Sequence, residues 1–317
     1  MSFATLELLG MRVRIVSLPA ELVPRHLHHL LRLLFFGSSD ERFCHCSVTA
    51  DGISMVASVD EIEPLLAVEG VQVDPTQWAL AQVCEGQHGF SSSVGVVERI
   101  TGPLASSAVP VLYVSTYSLD YVLIPVDRID DAKAAVAAAW SDATPFSMMA
   151  GDGEVGWVAK HQYPLLVHQG ATARLFCFTT DKLALHTGAL LRLLLLPASS
   201  DQPDVLRAMT TTPEGEVTVV CGNAEWFGDY CSSRGADGIQ AVDNDAWVPI
   251  RVGDECTPIS EVGVVATQAS MLSARGIPIL YHSTFAADYT MVPVEYLDAA
   301  LAAFEDAGFC VRVIPSA

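Results

Sequence analysis

The sequence predicts an α+β protein built from four tandem βαββαβ units that are arranged as two repeated pairs. Residues 94–126 align with residues 262–294 without a gap, at a spacing of 168 residues, and 14 of the 33 aligned positions are identical. A second match starts at Arg14 and Arg174 and includes the string LLRLL in both copies. Repetition at a fixed spacing indicates that one structural unit was used more than once.

The first unit shows the predicted order of elements most clearly. Residues 12–18 have the composition of a strand, and the leucines of residues 22–36 recur at helical spacing. The Asp51-Gly52 turn joins two further strand-like runs and is a strong hairpin signal. A short helix, DEIEPLL, and a return toward the sheet, VEGVQV, complete the unit.

The same order recurs three more times along the chain. In the second unit, the serines at 91–93 could cap a helix that runs through VGVVERITGPLASS. The Gly- and Met-rich stretch at 147–157 is the predicted linker between the halves. The predicted domains are 1–74, 75–150, 165–240 and 245–317.

The charge balance limits the classes of partner. The chain carries 37 acidic and 17 basic residues, a net charge of −20. Such a surface repels phosphate backbones and anionic lipids, so we expect neither nucleic-acid nor membrane binding, whereas a cationic ligand is favoured. No apolar run reaches the ~20 residues of a membrane helix. Eight dispersed cysteines and the absence of a secretory signal predict a soluble, cytoplasmic protein.

One stretch of the fourth unit suggests a ligand site. Ser260 or Glu261 precedes a helix predicted to start near Val262, where free backbone N–H groups and the helix dipole suit a carboxylate. Gly263 lets a ligand approach the backbone closely. Glu261 could hold an ammonium group, and Asp288, after the strand LYHSTF, could face a guanidinium. This pattern describes a basic amino acid in its zwitterionic form.

The two copies differ at one of these acids. Asp288 has Asp120 as its twin, whereas Glu261 is replaced by Ser93, so Glu261 is not required by the shared fold. A second interpretation stays open, in which the aspartates are turn residues and Glu261 is an acid of the first helical turn.

Other chemistry finds little support in the sequence. Cys44-His45-Cys46 lacks a second pair of ligands with zinc-site spacing, and no nucleotide-binding or nucleophile motif is present. His282 and Ser283 are neighbours in a predicted strand and therefore point to opposite faces. We expect no metal, no cofactor and no catalysis.

The pattern S-T-[YF]-x-x-D-[YHF]-x-[LM]-[VI] occurs at 115–124 and at 283–292. It resembles the signature of ACT-type ligand-binding domains, which have a ferredoxin-like fold. Across most of its length the chain is similar to the CASTOR group, the cytosolic arginine sensors of the TOR growth pathway, and their short bacterial relatives. The resemblance implies four ACT-like units.

The resemblance also implies an arginine pocket between the second and fourth units. Glu261 would meet the α-amino group and Asp288 the guanidinium. The remaining implied contacts are Pro110 and Val111 from the second unit, the backbone of Val264 and Val265, and Thr284, Phe285 and Ala286 around the guanidinium.

Three pocket positions depart from the arginine sensor of the family. Pro110 stands in place of a serine, Pro258 in place of a glycine, and Ala287 in place of an aromatic residue. A ligand-independent regulatory or scaffold protein with a vestigial pocket is the alternative function.

The resemblance further implies a homodimer formed through the first and third units, and a GATOR-type complex as a partner. Tyr117 and Asp120 match the family's partner-binding residues, whereas Ser107 and Ser118 do not.

Overall fold

The structure is a computed structural model. It describes residues 4–37, 42–85, 94–141, 163–196, 205–222, 225–234, 241–243, 245–254 and 259–315. The predicted linker at 147–157, the predicted capping serines at 91–93 and Pro258 lie outside the described residues.

The first half begins with a longer strand than the sequence predicts. Its elements are β1 (Ala4–Leu18), α1 (Val23–Phe35), β2 (Cys44–Thr49), β3 (Gly52–Ser58), α2 (Val59–Leu66), β4 (Gln72–Val73), β5 (Trp78–Glu85), α3 (Val96–Ser106), β6 (Leu112–Ser115), β7 (Asp120–Pro125) and α4 (Ile129–Ser141). The strand predicted at 12–18 is therefore only the second part of β1. Leu30, Leu33 and Leu34 form the buried face of α1, as their helical spacing predicts.

The second half follows the same order. Its elements are β8 (Leu165–His168), β9 (Ala173–Thr179), α5 (Leu183–Leu194), β10 (Arg207–Thr211), β11 (Glu216–Gly222), α6 (Glu225–Ser233), β12 (Ala241–Val242), β13 (Trp247–Val252), α7 (Val264–Ser273), β14 (Leu280–Ser283), β15 (Asp288–Pro293), α8 (Leu297–Asp306) and β16 (Val311–Ile314). The α+β class is confirmed. The four domain boundaries stay predictions.

Each half begins with an extended segment that is interrupted once: β1 contains a register shift, and β8 and β9 are separated by a short break. The first part of β1 pairs with β5, and after a register shift between Leu8 and Arg12 the second part pairs with β3. In the second half, β8 pairs with β13 while β9 continues alongside β11. Gly10 and Gly170 mark the two breaks with φ of 70° and 74°, a conformation that glycine adopts without strain. Each opening segment thus joins neighbouring parts of one continuous sheet.

Twelve of the described strands close into a ring. From β9 the pairing runs β9-β11-β10-β2-β3-β1-β5-β7-β6-β14-β15-β13, and β13 returns to β9 through Trp247 and Ala173. Helices α3, α4, α7 and α8 share one apolar core with the sheet, and α1, α2, α5 and α6 share another. Two further apolar clusters lie on the opposite face of the strands. No helix in the described ranges is long and apolar enough to cross a membrane.

Two hairpin turns hold the halves together. Asp51, in the β2–β3 turn, forms an ion pair with Arg251 of β13 at 2.9 Å. Glu214, in the β10–β11 turn, accepts a hydrogen bond from the Tyr121 hydroxyl of β7. Each half therefore contacts the other through the tip of a hairpin.

Candidate functional site

The site lies beside the seam where β6 meets β14. The backbone N–H of Tyr113 donates to Ser283 Oγ, and the backbone N–H of Tyr281 donates to Ser115 Oγ, both at 3.0 Å. These contacts are reciprocal across the repeat. They give a structural reason for the tyrosine and the serine to appear in both copies.

The loops that follow the seam strands reach into the opposite half. The backbone N–H of Phe285 donates to Ser54 Oγ at 2.9 Å, and that of Tyr117 donates to Thr218 Oγ1 at the same distance. Phe285 packs against the apolar cluster of the first half, and Tyr117 against that of the second. Both aromatic positions of the repeated signature therefore join the halves.

The loop from 284 to 287 is organised by one hydroxyl. Thr284 Oγ1 donates to the carbonyl of Ala287 at 2.7 Å and accepts the backbone N–H groups of Ala286 and Ala287. Its side chain is committed to its own loop, which holds Asp288 at the start of β15.

The helix that faces this loop begins at Val264, two residues later than predicted. Its N-cap is Gly263, with φ of 88°, and not Ser260 or Glu261. Gly95 occupies the same place before α3, with φ of 84°. The first-turn N–H groups of α7, at buried Val264 and Val265, have no intrahelical acceptor, and both residues line the cavity described next.

A small cavity joins the second and fourth predicted units. It measures about 10 Å³, which is about the space that one water molecule requires. Its lining comprises Val111, Leu112, Ile259, Glu261, Val264, Val265, Thr284, Ala287 and Asp288. The structure thus brings six of the predicted contacts together. Pro110, Gly263, Phe285 and Ala286 are not among the lining residues, and Phe285 is used in the contact between the halves.

The pKa of Asp288 reflects both its burial and the other acid of the cavity. It is raised to about 6, mainly by burial and also by the negative charge of Glu261, while hydrogen bonds from Ser283 and Tyr281 oppose the rise. A carboxylate in this state gains from a cationic partner, because the cation replaces lost hydration. Asp288 is therefore suited to hold a guanidinium.

Tyr163 is a member of the site that the sequence did not indicate. Its hydroxyl donates a hydrogen bond to Glu261. The pKa of Tyr163 is raised, first by burial, then by the bond to Glu261 and by the charges of Glu261 and Asp288. No motif marks this tyrosine, which lies 98 residues from its partner in sequence.

The predicted partner-binding residues lie in less accessible places. Asp120 is only 2% exposed and accepts a hydrogen bond from the Tyr113 hydroxyl at 2.8 Å. Tyr117 is partly buried in the apolar cluster of the second half. Their role in partner binding stays a prediction, and it requires a movement that exposes them.

In the Cys44-His45-Cys46 segment, both cysteines pack in the core shared with α1, α2, α5 and α6, whereas His45 points to the opposite face, inside the ring. His45 Nδ1 bonds with Thr210 Oγ1 at 2.8 Å, and its ring stacks on that of His282 with centroids 5.9 Å apart. Burial lowers the pKa of His45 to about 3 and that of His282 to about 4, and it raises the pKa of Cys44 to about 12. Within the described ranges, no group of three or more potential metal ligands occurs.

Known proteins with similar sequences were found over most of the chain. The sequence model of the ACT domain matches residues 77–138 and 243–306. The cytosolic arginine sensor for mTORC1 subunit 1 from Homo sapiens is 24% identical over 311 residues, which are 91% of this chain and 93% of the relative. The resemblance to the CASTOR group is confirmed. The same subunit from Rattus norvegicus is 24% identical over 318 residues, 93% of this chain and 95% of the relative.

The ACT matches contain the whole candidate cavity. Val111 and Leu112 fall in the first matched range, and the other lining residues fall in the second. Residues of both matched ranges therefore line the cavity, and Tyr163, which hydrogen-bonds the lining residue Glu261, lies outside both ranges.

Solved structures give weaker similarity. Aspartate kinase from Synechocystis covers 98% of this chain and 57% of its own, with 13% identity and a TM-score of 0.31. The ligand-free regulatory subunit of aspartate kinase from Thermus thermophilus covers 43% of this chain and 96% of its own, with 16% identity and a TM-score of 0.29.

Proposed function

We propose that the chain is a non-enzymatic cytosolic sensor that binds arginine between its second and fourth units. Ligand binding changes a protein interaction in TOR-linked nutrient regulation. The observation that carries the proposal is the pair Glu261 and Asp288, which line one cavity beside the N-terminus of α7.

The proposed contacts divide arginine into three charged groups. The first-turn N–H groups at Val264 and Val265 receive the α-carboxylate, because a helix N-terminus favours an anion. Glu261 accepts the α-ammonium group, and Asp288 pairs with the guanidinium. Val111 and Leu112 cover the aliphatic part of the ligand from the second unit.

The finer architecture belongs to the same proposal. We assign four ACT-like units, two of which lie outside the matched ACT ranges and provide structural support. The order strand, helix, strand, strand, helix in each quarter of the element sequence supports this division. In the proposed assembly, the first and third units pack on a second copy, and a GATOR-type complex is the regulated partner.

Signalling requires two conformations with different affinities for arginine. A cavity of about 10 Å³ is far too small for an amino acid, so the conformation described above is the closed one. Arginine stabilises an open or rearranged conformation only to the extent that it binds that state more tightly. Because the loops after β6 and β14 contact the opposite halves, a rearrangement at the cavity would also reach Tyr117 and Asp120.

Calorimetric titration with arginine and three analogues tests the assignment. Citrulline lacks the side-chain charge that Asp288 pairs with, agmatine lacks the carboxylate, and argininic acid lacks the α-amino group. We expect arginine to bind and each analogue to bind at least tenfold more weakly, since each loss leaves a charged or polar group unpaired. Equal binding of citrulline and arginine would contradict the role of Asp288.

A scaffold with a vestigial pocket is the second candidate function. The small cavity favours it, together with a proline at position 110, where the arginine sensor has a hydroxyl. The absence of heat with arginine and all other amino acids, in a protein that still assembles, would favour the scaffold over the sensor.

A further inference from the structure

Tyr163 and a bound ammonium group require the same acceptor. The phenol hydroxyl donates to Glu261, and both side chains are partly buried. The negative charges of Glu261 and Asp288 both contribute to the raised pKa of this phenol. The cavity that Glu261 and Asp288 line measures about 10 Å³, which does not admit an ammonium group with its attached carbon chain.

The backbone next to Tyr163 is fixed. The carbonyl of Pro164 accepts the N–H of Gly253 at 2.8 Å, and Leu165 N–H donates to the carbonyl of Cys310 at 2.8 Å. A following proline also restricts Tyr163 to extended backbone conformations. The phenol can therefore leave Glu261 by rotation of its own side chain, without a rearrangement of β8.

We propose that Tyr163 is a built-in competitor of the ligand, which occupies the ammonium position on Glu261 until an amino acid displaces it. This inference rests on the proposed function and adds a residue that sets its affinity. In the closed conformation the Tyr163 hydroxyl donates a hydrogen bond to the partly buried carboxylate of Glu261. The carboxylate therefore has a donor when no ligand is bound. Every arriving amino acid must first break that bond, which reduces the apparent affinity.

Tyr163 is also close in sequence to the edge of the sheet, which is formed by β16 next to β8. Tyr163 directly precedes Pro164, and β8 pairs with β13 on one side and with β16 on the other. A phenol that moves away from Glu261 must pack elsewhere near this edge.

The test compares arginine affinity in Tyr163→Phe and in the unchanged protein by calorimetric titration. The phenylalanine keeps the ring and removes the competing hydroxyl, so we expect the dissociation constant to fall about tenfold, as the loss of one hydrogen bond to a charged group implies. Tyr230→Phe is the matched control, because its hydroxyl donates to the carbonyl of Leu185 far from the cavity. Thermal unfolding verifies that each variant is folded.

Each outcome of the titrations either supports or contradicts the competitor role of Tyr163. Tighter binding by Tyr163→Phe, or binding by that variant alone, supports the competitor. If the protein without substitutions binds arginine, and Tyr163→Phe binds it with equal or lower affinity, the competitor role of Tyr163 is wrong. The proposed sensor function is then unaffected. Tyr163→Ala, which removes the ring as well, must bind at least as tightly as the unchanged protein. If no protein of the set binds any amino acid, both the sensor and the competitor are wrong.

Discussion

Ionised Asp288 lowers the stability of the folded protein, because its pKa is raised, and in the proposed function the same charge pairs with the guanidinium of arginine. Its twin Asp120 occupies the same place in the repeat but is buried against Tyr113 and is not among the cavity-lining residues. The two acids are therefore a natural pair for comparison. Both hydrogen-bond the tyrosine at the equivalent position of their own copy, Tyr281 or Tyr113, but only Asp288 lines the cavity.

Asp288→Asn should abolish arginine binding and stabilise the protein at neutral pH. The folded-state pKa is about 6, raised from the ordinary value of 3.8, so ionisation is less favourable in the folded than in the unfolded chain. The cost is complete above about pH 6, shrinks as the pH falls, and is absent below about pH 3.8. The variant should melt higher than the unchanged protein at pH 7.5 and at the same temperature near pH 3.5.

Arginine affinity of the unchanged protein should also depend on pH. Below about pH 6 the fraction of ionised Asp288 falls about tenfold per pH unit, and the affinity should fall with it. Asp120→Asn serves as the control and should keep the binding and its pH profile. An affinity that is constant between pH 7.5 and pH 5 would exclude Asp288 as the ion partner.

At the scale of elements, the β6–β14 seam separates structural from ligand-related roles. Ser115 and Ser283 accept equivalent backbone hydrogen bonds, but only Ser283 also bonds with Asp288. Sequence comparison of the copies identified both serines and both acids. It could not assign their roles, because each role depends on a neighbour from the other copy.

Ser115→Ala and Ser283→Ala should each lower the free energy of unfolding by about 1–3 kcal/mol, since each leaves a buried N–H without its acceptor. Only Ser283→Ala should weaken arginine binding, because its hydroxyl lowers the pKa of Asp288 and its loss favours the neutral acid. Urea unfolding and calorimetric titration measure the two effects. Equal loss of affinity in both variants would count against this division.

The elements that the sequence predicted best are those whose signal lies within a single helix or turn. The leucines of α1 and the Asp51-Gly52 turn were predicted correctly because these signals are local. The first part of β1 and all of β8 were missed, since these strands are defined by pairing with β5 and β13. Tyr163 was missed for the same reason, as its partner belongs to a distant segment.

At the scale of the molecule, the closed ring places two neutral histidines between the halves. His45 and His282 stack at 5.9 Å, and neither ring nitrogen of His282 has a hydrogen-bond partner within the described residues. The first copy has Val114 directly opposite His282 in the seam. The ring can thus accommodate a valine in an equivalent environment.

Acid should destabilise the protein through this pair. The folded-state pKa values of about 3 and 4 lie below the ordinary 6.5, so the unfolded chain binds more protons, and stability falls as the pH drops from 6.5 toward 4. His282→Val should show a smaller loss over this window in urea unfolding. His168→Gln, at a partly exposed position of β8, controls for the loss of a histidine. Identical pH profiles of all three proteins would contradict this account.

The most direct measurement of the central claim is thermal unfolding of the purified protein against each of the twenty amino acids at millimolar concentration. A ligand that binds only the native state adds about 2.7 kcal/mol at a hundred times its dissociation constant, which shifts the melting temperature measurably. The account predicts a shift that is confined to arginine and lost in both Asp288→Asn and Glu261→Gln. A shift that persists in both variants, or no shift with any amino acid, would contradict it.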